Sequence, residues 1–144
     1  MPTSYKIFKD IELVIITSSG PAIVNEVIDM LVRLQADPDF SITHNVLWDS
    51  RERTIPFTSD EIRNLVSHVH RYKGDKIPKP KRAFLVSKDV VFGMLRVYES
   101  YRSSISHADI EIFKDKDEAL KWLGVHDYPL FCSNNTSGND DDST

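Results

Sequence analysis

Side chains able to act as bases, ligands or modification sites gather in two places along the chain. Trp48-Asp49-Ser50-Arg51 closes the apolar run Asn45–Asp49. Open α/β sheets place their sites at the C-terminal ends of strands, so Asp49 is a candidate base or ligand contact. Arg51 and Arg53 stand close enough in sequence to pair with it instead. Thr58 and Ser59 open the next helical pattern, where a hydroxyl caps the helix or carries a phosphate that free amides and the dipole would favour. Among the other reactive side chains, Cys132 is the single cysteine, and it lacks a partner for an intrachain disulfide. His68 and His70 are two apart, which sends them to different helix faces, so no metal is expected. No G-x-S-x-G elbow is present, and no cofactor is implied.

The elements that position these residues alternate. Tyr5, Ile7 and Phe8, then Leu13–Thr17, form two β-like runs around a short polar stop, as in an opening hairpin. Gly20-Pro21 reads as a helix start, with proline at the first helical position. Ile23, Val24, Val27, Ile28, Leu31 and Leu34 follow as one apolar stripe, and Asp37-Pro38-Asp39 ends it. Asn45–Asp49 is the next strand and Ser50–Phe57 a loop. Thr58 and Glu61 then form a T-x-x-E capping box before Ile62, Leu65, Val66 and Val69.

The segment Lys73–Lys81, with Gly74, Pro78 and Pro80, is irregular. Ala83–Val86 is a strand, and Ser87 caps a third helical pattern through Met94, Leu95, Tyr98 and Tyr101. Asp109–Phe113 alternates polar and apolar as a half-buried strand does. Asp115 and Glu118 cap a last helix that Gly124 stops. The predicted fold is therefore α/β: a mixed, mostly parallel sheet of about five strands with four helices, in the order β-β-α-β-α-β-α-β-α. One domain fills residues 1–124, an extension follows over 125–132, and residues 133–144, without an apolar side chain, form a polar and acidic tail expected to be disordered.

Composition narrows the function classes. The 144 residues are 40% hydrophobic and 28% charged, close to the soluble globular average. A net charge of −4 gives no general pull toward nucleic acid. No run approaches a membrane-spanning length, and Met1–Lys9 has no apolar stretch of signal-peptide length. A cytoplasmic location is expected.

The strand Asn45–Asp49, the capped helix from Thr58, the strand Ala83–Val86 and the closing Phe113-Lys-Asp115-Lys-Asp-Glu118-Ala119-Leu-Lys-Trp122-Leu123 together resemble the SpoIIAA-like, or STAS, superfamily. The ending matches the pattern F-x-D-x-x-E-A-x-x-W-L of small stand-alone bacterial members, and the likeness covers residues 5 to 124. It implies a mixed sheet with helices mostly on one side and a role as a partner-binding module. It also implies a phosphorylatable hydroxyl at the start of the helix after the central strand, at Phe57-Thr58-Ser59-Asp60, where the family's glycine is missing. The related lipid-carrying SEC14 domains imply a second use, as a carrier of a small hydrophobic ligand.

Two surfaces suit partners. Between Arg51 and Arg82 nine Lys or Arg, among them Arg63, Arg71 and Lys73, face four Asp or Glu, so a segment of +5 could meet an acidic partner. The third helical pattern is apolar on more than one face, and its surplus residues Phe92, Val97 and Tyr101 are candidates for a homodimer interface. Gly93 within it would permit close approach of another backbone. A pocket for an apolar ligand would be lined by Trp48, Asp49, Arg51 and Met94. The expected function is a non-catalytic regulatory or scaffolding module. A lipid-like ligand carrier is the alternative, and a small enzyme with its site near Asp49 the weaker third reading.

Overall fold

A computed structural model describes residues 3–41, 43–55, 57–70, 80–87, 89, 93 and 109–132. The two N-terminal apolar runs pair as a hairpin. β1 (Thr3–Phe8) lies antiparallel to β2 (Leu13–Pro21), with Thr3 opposite Ser18 and Phe8 opposite Leu13. A single 3-10 turn, Lys9–Ile11, joins them and closes on Glu12 in the left-handed region at φ 53. From β2 onward every neighbour is parallel: β3 (Asn45–Ile55), β4 (Lys81–Leu85) and β5 (Asp109–Phe113) follow in chain order, giving the sheet β1-β2-β3-β4-β5.

The period of two along each strand divides the sheet's side chains between two cores. Leu13, Leu47, Ala83 and Leu85 face one side, under Ala119, Leu120 and Leu123 of α3 (Lys116–Leu123). Val14, Ile16 and Val46 face the other, under Met30 and Leu34 of α1 (Val24–Ala36). α2 (Ser59–His70) buries Ile62 and Leu65 and packs beside α1. Parallel crossovers are right-handed. In a sheet ordered as the chain runs, that puts successive crossover helices on one face, as α1 and α2 are. α3 follows the last strand, crosses to no further one, and is free to cover the opposite face. Both faces of the sheet thus carry helices, α1 and α2 on one and α3 on the other, and the crossover from β4 to β5 lies largely outside the described residues.

Three local expectations change. Gly20-Pro21 does not start a helix. Gly20 takes φ 72 and pairs with Arg53 at the end of β2, while α1 begins three residues after Pro21. Ile23 is its N-cap residue and gives no side-chain cap. Ile23 therefore leaves the buried stripe and stands 42% exposed, and Met30 takes the centre of the helix face. Ser50–Ile55 is not a loop but the second half of β3, pairing with β2 alone once β4 has ended at Leu85. β2 and β3 thus project as a two-stranded ribbon beyond the rest of the sheet.

Other expectations hold. Asp115 accepts from the Glu118 amide at 3.1 Å, and Gly124 closes α3 at φ 79. The extension after Gly124 packs onto the fold. Val125 is buried in the α3 core, and Phe131, at the end of the one-turn α4 (Pro129–Cys132), lies 5.9 Å from Phe8. Tyr128 donates to Asp10 at 2.7 Å. Of the third helical pattern, Asp89 and Gly93 are among the described residues and both are helical. A Cβ added at Gly93 would meet nothing within 4 Å among the described residues. Phe92, Met94, Val97 and Tyr101, like Arg71 and Lys73, lie outside the described residues.

Candidate functional site

The candidate site is the C-terminal end of the parallel strands, where the β2–β3 ribbon outruns β4. Asp49 is the last residue of β3 to pair with β4, opposite Leu85. Its carboxylate is closed by its own strand. Arg51 Nε donates to Oδ1 at 3.0 Å and Nη2 to Oδ2 at 2.7 Å, and the Arg51 main-chain N–H adds a bond to Oδ1 at 3.1 Å. This two-pronged pairing of guanidinium and carboxylate is the strong geometry for such a pair. It raises the Arg51 guanidinium above its ordinary value, against the pull of partial burial. Ser87, expected to cap a third helix, donates its hydroxyl to the Arg51 carbonyl at 2.8 Å and so fastens the ribbon to the end of β4.

Trp48 points away from this pair. Its indole N–H donates to the buried Ser18 hydroxyl at 2.8 Å, and its ring lies 5.8 Å from that of Phe84, among the α1-side cores. Leu47 belongs to the α3-side core. Alternation therefore sends Trp48 and Asp49 to opposite faces of the sheet. The proposed pocket wall of Trp48, Asp49 and Arg51 is not one wall, and Met94 lies outside the described residues.

Arg53 is the residue that sequence reasoning missed. Its side chain is nearly buried, at 2% exposure, and Nη1 donates to the carbonyls of Pro21 at 2.9 Å, Ser19 at 3.3 Å and Gly20 at 3.5 Å. Burial lowers its pKa from the ordinary arginine value, with the field of Glu26 opposing that shift. The guanidinium also sits 5.8 Å from the centre of the Phe57 ring. The register shifts between Thr17 and Ser19 and between Gly20 and Pro21 each place one extra residue on β3, which makes β3 the bulged strand here, and Arg53 reaches across to the β2 carbonyls. A charge in a polar run ordinarily marks a surface, so the sequence carried no signal for this inward turn.

Thr58 caps α2 as its spacing requires. Its hydroxyl accepts from the Glu61 amide at 3.2 Å, and the Glu61 carboxylate accepts from the Thr58 amide at 2.8 Å. Ser59 is the first residue of the helix and is exposed. The basic stretch is partly spent inside the fold. Arg63 pairs with Asp60 at 2.8 Å, and Lys81 Nζ donates to the Trp122 carbonyl at 2.9 Å beneath the Trp122 ring. Arg51, Arg53 and Lys81 are thus bonded within the fold, while Arg63, in its pair with Asp60, stands exposed on α2.

His44 is buried in the turn before β3, where Nδ1 accepts from the Ser41 amide at 3.2 Å. Among the described residues no group of three or more His, Cys, Asp or Glu side chains could hold a metal ion, and no helix is long and apolar enough to cross a membrane. In comparison with known proteins, no protein-family model and no curated protein sequence matches the chain.

Proposed function

We propose that this α/β domain is a non-catalytic protein-interaction module of the SpoIIAA/STAS-like type, acting in the cytoplasm and self-associating through the region of Phe92, Val97 and Tyr101. One observation carries the non-catalytic reading: both carboxylate oxygens of Asp49 are committed to Arg51 two residues along the same strand. A general base must come within hydrogen-bond reach of a substrate proton, and this carboxylate is instead held against its own strand by three bonds from Arg51, two on Oδ1 and one on Oδ2. The mixed sheet, with an antiparallel first strand and parallel pairing from β2 onward, agrees with the mixed sheet that the resemblance implies.

The test is light scattering coupled to gel filtration on the intact chain and on the Val97→Asp and Tyr101→Asp variants, with circular dichroism as the control for folding. The proposal expects a dimer that both variants reduce to folded monomer. A wild-type monomer at working concentration, or variants that remain dimeric, overturns the assignment of that surface.

A further inference from the structure

We draw no further inference here: the strongest candidate, the exposed apolar patch of Ile23 and Ile55 at the projecting end of the β2–β3 ribbon, lies beside a buried Arg53 already bonded to strand carbonyls, and nothing in the structure shows what covers it.

Discussion

Asp49 and Arg51 stand two residues apart on one strand, and each charge is the other's partner. In a β-strand such residues point to the same side, so the pair needs no distant element to assemble it. It forms at the place where β4 stops and β3 continues, and it supplies charged side-chain bonds where strand pairing to β4 has ended. Asp49, the candidate base of the sequence, is thus held by its own strand.

That role makes Asp49→Asn a stability variant. The Asp49 and Arg51 side chains are both partly exposed, which keeps the energy small, on the order of 1 kcal/mol in urea unfolding. A double-mutant cycle with Arg51→Met should return a coupling of similar size, and neither variant should alter self-association. A change in oligomeric state without a change in unfolding midpoint would contradict the bracing role.

Arg53 should matter more. Replacing it with Ala removes a charged donor from three strand carbonyls and opens a gap beside Phe57. A loss of roughly 2 kcal/mol or more is expected, since bonds to a charged group contribute about 1.5–3 kcal/mol. Hydrogen exchange should report the damage first in the ribbon amides of Ser19–Gly20 and Arg53–Thr54. Uniform protection, unchanged from the wild type, is the contrary outcome.

The capping box separates Thr58 from Ser59. Thr58→Ala should cost about 1 kcal/mol, the usual value of an N-cap hydroxyl. Ser59→Ala, at an exposed first helical position, should cost far less. If Ser59→Asp were to change partner binding more than tenfold while leaving stability alone, a phosphate switch would act here and capping would be only part of the story.

One source of acid sensitivity lies in the turn after α1. The Asp37 carboxylate accepts from the Asp39 amide at 2.9 Å and from the Tyr5 hydroxyl at 2.8 Å. These bonds, the Asp39 one foremost, hold its pKa below the ordinary carboxylate value. A depressed folded-state pKa contributes stability that is fully present above the unfolded value, about 3.9 for aspartate, and is lost as pH falls through the lower folded value. Asp37→Asn should flatten the stability–pH curve below about pH 4 and leave its slope near neutrality unchanged. A flattened slope at pH 6–8 would point to another group.

What the sequence made legible follows a physical rule. Elements with their own local signal were readable: the alternation of Asp109–Phe113, the Thr58–Glu61 and Asp115–Glu118 spacings, and Gly124 after the last apolar residue of α3. Each of these is decided by neighbours a few residues away. The ribbon was not readable, because Ser50–Ile55 carries an Arg-Glu-Arg-Thr run whose inward member, Arg53, is satisfied by carbonyls more than thirty residues earlier. The start of α1 was misplaced for a related reason. Gly20-Pro21 fits a helix entry by composition, yet the register of β2 on β3 carries the strand through it, with Pro21 opposite Ile55. At the candidate site the alternation that separates Trp48 from Asp49 was available in principle. The short apolar run reads as a whole strand ending at Asp49, whereas β3 continues to Ile55.

The central claim, that this chain acts by binding protein rather than by chemistry or ligand carriage, meets its most direct test in native mass spectrometry of untagged protein purified from its own host. The account predicts a dimer whose mass is that of two unmodified chains, alone or with a protein partner. A monomer carrying a small non-protein mass that is released on denaturation would contradict it and make the chain a ligand carrier.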